Sequence, residues 1–237
     1  MLSVIIPTYN EWGNIEPLIG RLDAVKRQLE EPLEVLIVDD ASPDGTAKLA
    51  GQLLSISGLG RVIQRTGQRD VSLAVGEGLR NAQGELVGVM DADLSHPPEL
   101  LPALVQAVRN GCDLAIASRY VHGGGVEGWS WRRRWLSRLG NLIAHPLVRV
   151  HDATSGYFVC HAKAMRELAW QACGFKVLLE LLVKGQAHRV QEIPYVFSDR
   201  RAECSNLGPR VVWSYGTQLA RLYGYRLWGL CRCQGPA

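Results

Sequence analysis

No stretch of this 237-residue chain holds the ~18 uninterrupted apolar residues that a membrane-spanning helix requires, so no transmembrane helix is expected. The chain opens directly on a strand-like run, LSVIIP, and no targeting segment is expected ahead of the fold. Lysine is scarce, since arginine supplies nearly all of the 26 basic residues. Against 23 acids the net charge is only +3, so nothing here demands a nucleic-acid partner. Six cysteines are scattered. Only Cys231 and Cys233 lie close together, and C-x-C alone is a poor metal signature, so the reading is reduced thiols in a cytoplasmic protein. The first strand is followed by TYNEWGN, not by the G-x-G-x-x-G that lets backbone amides approach a pyrophosphate, which argues against a dinucleotide-binding oxidoreductase. There is no internal repeat and no low-complexity linker.

What is present is a regular alternation. Apolar runs at Leu2–Pro7, 33–40, RVIQR, Glu85–Met90 and 113–118 read as strands. Segments with apolar residues at helical spacing fall between them: Asn14–Glu30, Thr46–Leu54, Leu73–Ala82 and Pro98–Asn110, the last with proline at its start. With 47% hydrophobic residues to fill a core, this order predicts an α/β, doubly wound, mostly parallel sheet. Ligands in such sheets bind beyond the carboxyl ends of the strands. Two of those ends are acidic: IVDDASPDGT with Asp39 and Asp40, and, 52 residues on from Asp39, VMDADLSHPPE with Asp91 and Asp93.

Two carboxylates held side by side repel each other unless a cation or a proton lies between them. One reading of Asp91 and Asp93 is solvated acids capping the next helix. A phosphatase with an aspartate nucleophile would also use D-x-D, but it wants a distant lysine and a further acidic pair. A third reading is a divalent cation, Mg2+ or Mn2+, bridging a nucleotide-sugar diphosphate, because these ions favour one or two carboxylates plus substrate phosphates. Asp39 or Asp40 would then accept hydrogen bonds from a base or ribose. The alternative duty for Asp39, Asp40 and Asp44 is turn and helix-cap formation.

SVIIPTYNE, LIVDDASPDGT and VMDADLSHPPE, in that order and spacing, resemble the family 2 glycosyltransferases, which have the GT-A fold. ASRYVHGGGVEGWSWRRRWLSRLGN, DATSGYF, GFKVLLE and EIPYVFSDRR are similar to the polyprenol-phosphate (dolichol-phosphate) mannosyltransferase group. The resemblance runs from about Ser3 to Gly208 and implies a GT-A domain over residues 1–208, followed by an amphipathic helix and tail over 209–237. It implies that Pro7, Tyr9, Glu11 and Asp40 hold the nucleoside, and that Asp91, Ala92 and Asp93 lie at the metal and diphosphate. Ser95 stands where some members carry a metal-binding glutamine. Lys176 and Arg200 match basic residues near the donor diphosphate, and Arg119, Arg133 and Ser137 match positions that grip the acceptor phosphate. Asp91, Asp93, Arg119 and Arg200 form the implied catalytic set.

Arg133 and Ser137 are four residues apart and so share one helix face, where a guanidinium and a hydroxyl make a phosphate clamp. Arg132 and Arg134 read as a solvated face. Glu180, inside VLLELLV, is expected on an exposed face, paired with Lys176, or functional. Asp152, Ser155 and Gly156 are expected to shape a turn, with a role near the acceptor as the alternative. A phosphate monoester carries close to two charges at pH 7 and is already a nucleophile, so no dedicated base is expected, and attack opposite the leaving diphosphate inverts the anomeric carbon.

The chain departs from the family at Ser72-Leu73-Ala74, where a glycine pattern is common, and a residue forced into glycine's conformation there would be strained by ~1 kcal/mol. It departs again after Arg200, where Glu203 and Asn206 replace a glycine- and lysine-bearing loop. The reading is therefore an inverting, metal-dependent transferase moving a hexose, mannose from GDP-mannose, onto a polyprenyl phosphate. It would be a peripheral protein at the cytoplasmic membrane face, its tail from Pro209 either lying in the interface or packed on the domain. UDP-glucose as donor, a sugar acceptor, or a non-catalytic nucleotide-sugar-binding homologue are the alternatives.

Overall fold

A computed structural model describes residues 1–168, 176–185, 187–198 and 209–232, the last helix with its side chains from 213 to 227. The chain runs β1 (Leu2–Thr8), α1 (Trp12–Lys26), β2 (Leu33–Asp39), α2 (Thr46–Ser57), β3 (Gly60–Gln64), α3 (Val71–Asn81) and β4 (Leu86–Val89). A 3-10 turn (Pro98–Leu100) leads into α4 (Leu101–Arg109), then β5 (Leu114–Ser118). There follow β6 (Gly125–Glu127), α5 (Trp131–Ala144), β7 (Phe158–His161), α6 (Ala162–Arg166), α7 (Val177–Lys184), β8 (Val190–Pro194), β9 (Val196–Ser198) and α8 (Pro209–Arg232).

Seven strands form one sheet in the order β3-β2-β1-β4-β7-β5-β8, and β6 and β9 pair separately. The sheet is parallel except for β7, which runs antiparallel to both β4 and β5. The expected mostly parallel sheet is present, and the segment read as a loop and short strand supplies the reversed one. Both faces are covered, which is why the strands read as continuous apolar runs. Val4 and Ile6 point into one core with Ile15, Leu18 and Leu104, while Ile5 points into the other with Val75, Leu79 and Leu179.

The reversal of β7 matters for the site. Val89 pairs with Phe158, so the residues preceding β7 lie beside the acids that follow β4. Three non-glycine residues with left-handed backbones, Asn10 (φ 59°), Ala41 (φ 53°) and Leu94 (φ 65°), each lie a few residues beyond β1, β2 and β4. Backbone strain of this kind gathers at the same edge of the sheet.

Two expectations are corrected here. Ser72-Leu73-Ala74 lies inside α3, capped by Asp70, whose carboxylate accepts from Leu73 N at 3.1 Å. These residues are helical, so no glycine conformation is needed and no strain arises. Glu180 is buried, with 5% exposure, and pairs with Lys184 one turn on rather than with Lys176. The tail is packed on the domain: Leu219 and Leu222 enter the second core, and Tyr215 and Tyr223 donate to Gly140 O (2.9 Å) and Ile143 O (2.6 Å) on α5.

A methyl group at Gly78 of α3 would meet Ile5 Cγ2 at 2.4 Å and Val38 Cγ2 at 3.2 Å, both buried strand side chains. Gly78→Ala is expected to lower stability by about 1–3 kcal/mol. Gly20→Ala, where nothing lies within 4 Å, is expected to raise it by up to about 1 kcal/mol. Urea unfolding of the two variants measures both.

Candidate active site

A cavity of about 300 Å3 opens at the carboxyl ends of β4 and β5, lined by Asp91, Asp93, His96, Arg119, Arg133, Thr154, Ser155, Gly156, Lys176 and Phe197 among others. Residues from at least six stretches of sequence thus meet in one space. Carboxylates and cations that the chain separates by up to 85 positions share its walls.

The acids are held differently from one another. Asp93 is exposed, and its Oδ1 accepts from Ser95 N (3.0 Å) and Ser95 Oγ (2.5 Å). Ser95 therefore orients Asp93. Asp91 presents half of its side chain to the cavity, walled by protein on its other sides. Burial, and then repulsion from Asp93, raise its pKa. The carboxylate comes close to the β7 loop because residue 156 is glycine: a Cβ there would lie 3.2 Å from Asp91 Oδ2 and 3.1 Å from His96 Cε1. Ala92, between the two acids, is buried and turned into the first core, so only its backbone faces the site.

His96 is 2% exposed and stacks on Tyr157 at 5.2 Å. Its Nδ1 accepts from the Asp91 backbone N–H at 2.9 Å, which fixes the neutral tautomer with the proton on Nε2. Burial lowers its pKa in keeping with this, so the 3.6 Å approach of Nδ1 to the Asp91 carboxylate is not an ion pair. His96 shapes the acidic turn from beneath.

The cations come from three elements. Arg119, just past β5, is nearly buried and is gripped by Asp152: Nε and Nη2 donate to its two carboxylate oxygens at 2.7 Å each, and Nη2 donates to Thr154 Oγ1 at 3.0 Å. Burial opposes the charge on Asp152, but the Arg119 bonds outweigh it and hold the carboxyl below its ordinary range. Asp152, expected to shape a turn or to act near the acceptor, is the counter-ion of Arg119. Lys176, at the start of α7, donates from Nζ to Thr154 O at 2.9 Å. Burial, and then the charge of Arg119, lower its pKa. Arg133 on α5 lies over the Trp129 ring at 4.2 Å and 6.0 Å from Phe197, an aromatic seat that holds the guanidinium at the cavity wall.

Ser137 shares the α5 face with Arg133 but does not reach the cavity, and its Oγ accepts from Tyr120 OH at 2.8 Å. Pro7, Tyr9, Glu11, Asp39 and Asp40 lie at the neighbouring ends of β1 and β2, outside the cavity walls. Asp39 is fully buried, and its oxygens accept from Ser42 N (2.8 Å), Ser42 Oγ (2.5 Å) and Thr8 Oγ1 (3.2 Å), so it builds the turn beneath the surface. Asp40 pairs with Arg65 and accepts from Asp70 N at 3.2 Å. Tyr9 carries Arg69 over its ring at 3.9 Å, and Glu11 accepts from Asn14 Nδ2 at 2.5 Å. Asp44 performs the turn duty expected of it, accepting from Thr46 N at 2.9 Å and Trp12 N at 3.2 Å. Arg200, Glu203 and Asn206 lie outside the described residues.

Sequence reasoning missed His96, Thr154, the aromatic seat of Trp129 and Phe197, and the pairing of Asp152 with Arg119. Nothing in their spacing marks them, because each acts on a residue remote in the chain. Among the described residues no cluster of three or more His, Cys, Asp or Glu side chains forms a metal cage. The donor set here, two carboxylates on one turn with His96 Nδ1 already engaged, suits a hard divalent cation completed by oxygens of a bound diphosphate.

Comparison with known proteins identifies the family. The model of glycosyl transferase family 2 matches residues 3–170. Dolichol-phosphate mannosyltransferase of Pyrococcus furiosus is 40% identical over 225 residues, 93% of this chain, and the chain spans 63% of that protein's length. The Saccharomyces cerevisiae protein of the same name is 35% identical over 94% of this chain and 87% of its own length. Polyprenol monophosphomannose synthase of Mycolicibacterium smegmatis is 38% identical over 86% and 80%. Among solved structures, glucosyl-3-phosphoglycerate synthase from Mycobacterium tuberculosis, crystallised with Mn2+, UDP and glucosyl-3-phosphoglycerate, superposes with a TM-score of 0.68 at 19% identity, covering 100% of this chain and 81% of its own. Such a likeness speaks for the fold alone, and that fold is GT-A. The chain belongs to glycosyl transferase family 2, in its dolichol-phosphate (polyprenol-phosphate) mannosyltransferase group.

Proposed function

We propose that this protein transfers mannose from GDP-mannose to a polyprenyl phosphate with inversion at the anomeric carbon. The observation that carries this reading is that one cavity is lined by a carboxylate pair, Asp91 and Asp93, and by the cations Arg119, Arg133 and Lys176. Two phosphate-bearing substrates must approach each other, and only such a mixed wall serves both. The names of the relatives support mannose and a prenyl phosphate as the transferred group and acceptor.

In this scheme the nucleoside lies over the ends of β1 and β2, against Pro7, Tyr9, Glu11 and Asp40. The diphosphate reaches the Asp91–Asp93 turn, where Lys176 and, by resemblance, Arg200 offset its charge. A divalent Mg2+ or Mn2+ ion held by Asp91 and Asp93 would neutralise charge on the departing GDP. Arg133 and Arg119 hold the acceptor phosphate, and Ser137, engaged by Tyr120, takes no direct part. One oxygen of the phosphate dianion forms the new bond to the anomeric carbon. The bond from that carbon to the β-phosphate oxygen breaks, and its electron pair leaves with GDP. No proton has to be removed from the nucleophile, and His96, neutral and committed to Asp91 N, has no part as a base. Positioning and electrostatics supply the rate.

A lipid acceptor places the protein at a membrane surface. Among the described residues no helix is long and apolar enough to cross one. Peripheral contact is supported by Trp131, Trp135 and Leu142 on α5 and by Trp213 and Leu227 on α8, all more than 60% exposed, on two helices that carry arginines and no acids. Residues 1–208 then form the catalytic domain and 209–237 its membrane-facing appendage, at the cytoplasmic face.

Purified protein given labelled GDP-mannose, Mn2+ and a short polyprenyl phosphate is expected to yield organic-extractable label, and UDP-glucose to yield none. Nucleotide binding without label transfer would mark a non-catalytic homologue. Asp93→Ala is expected to reduce kcat/KM about a thousandfold with an unchanged circular dichroism spectrum. Full activity in that variant would mean the site is misplaced. Arg133→Ala is expected to raise the KM for the prenyl phosphate about tenfold and leave that for GDP-mannose unchanged, read from initial rates with each substrate varied in turn.

A further inference from the structure

The inward face of α8 carries Tyr215, Gln218, Leu219, Leu222 and Tyr223, the spacing of a helix packed along one side. Four of these are apolar or aromatic. Gln218 is 4% exposed, and its Nε2 donates to the main-chain oxygen of Lys176 at 3.0 Å. Lys176 is the residue before α7, with φ −114° and ψ 77°, outside helical geometry. The only other hydrogen bond to that oxygen among the described residues is a long one, from Glu180 N at 3.4 Å. The same residue sends its ammonium into the cavity, where it bonds Thr154 O.

The main chain of Lys176 is thus held from outside the site by a side chain of the C-terminal helix. We infer that Gln218 is a positioning residue: it sets where the Lys176 ammonium stands against the donor diphosphate, so that the seating of α8 on the domain is felt in donor binding. This rests on the donor site proposed above. The physical reason is leverage. A lysine stem is flexible, and a shift of about 1 Å at a positioning contact is enough to change catalysis by up to two orders of magnitude. Two further hydrogen bonds of α8, Tyr215 OH to Gly140 O and Tyr223 OH to Ile143 O, end on α5 and do not touch Lys176. They provide the control.

The test compares Gln218→Met, which keeps the length and loses the donor, with Tyr223→Phe, which loses a tie of the same kind elsewhere on the helix. Gln218→Met is expected to raise the KM for GDP-mannose and the Kd for GDP about five- to tenfold with little change in kcat, and Tyr223→Phe to leave both constants at wild-type values. In a Lys176→Met background the further change Gln218→Met is expected to add nothing to the Kd for GDP, since Gln218 acts through that lysine. Active wild-type enzyme with an unaltered Gln218→Met variant overturns the positioning role and leaves the function standing. An effect of Gln218→Met that persists in full without the lysine also overturns it, as a merely structural role would produce that. Wild-type protein that binds no GDP overturns the donor site and this inference with it.

Discussion

The buried pair of Arg119 and Asp152 is the constraint on which the rest of the site depends. It joins the end of β5 to the loop before β7, with both partners almost wholly shielded from water. Stripping water from two charges is expensive, and the two-pronged geometry, the Arg119 backbone N–H donating to Asp152, and the Thr154 hydroxyl, which accepts from Arg119 and donates to Asp152, offset it. Removing one partner would leave the other charge buried alone, at a loss of about 3–5 kcal/mol. Because Arg119 is locked, it acts as a fixed positive wall rather than a mobile arm. Its charge is felt by Lys176, whose pKa it helps to lower, and by Asp91 across the cavity.

Around that pair the sheet topology does the assembling. Parallel strands bring their carboxyl ends to one edge, which places Thr8, Asp39 and Met90 in a row. The reversed strand β7 enters the same edge from its amino end and carries Ser155, Gly156 and Tyr157 into the row. Had β7 been parallel, the loop before it would lie at the opposite edge and Asp152 could not meet Arg119. Gly156 then allows the β7 loop to lie against Asp91 where a side chain would be crowded, its Cβ 3.2 Å from Asp91 Oδ2. Asp91 and Asp93 share the cavity with Arg119, Arg133 and Lys176, and burial and the repulsion of Asp93 raise the pKa of Asp91.

The C-terminal helix adds a second layer. It is neither a free tail nor a separate body, because Leu219 and Leu222 complete the core above α7 while Trp213 and Leu227 remain outside. One face is packed on the domain and the other stays exposed. An amphipathic pattern has such a face whether the helix packs on a domain or lies in an interface, which is why periodicity alone left the choice open.

Much of the fold was legible in the sequence. The strand–helix alternation from Leu2 to Ser118 gave the parallel sheet, because burial on both faces leaves unmistakable apolar runs, and the acidic tips Asp91 and Asp93 marked the edge where the cavity opens. Element ends were off by a few residues: α1 starts at Trp12 and α2 runs on to Ser57. Less of the site's supporting structure was legible. Asp152 as counter-ion of Arg119, His96 beneath Asp91, the withdrawal of Asp39 and Ser137 into local hydrogen bonds and the pairing of Glu180 with Lys184 all depend on which way a side chain turns. The sequence by itself determined the layers of the fold and the chemical types brought to its edge, since periodic burial and strand-end residues are local properties. The tertiary structure alone decided which charges are paired and which face the cavity, because that depends on contacts between residues dozens of positions apart.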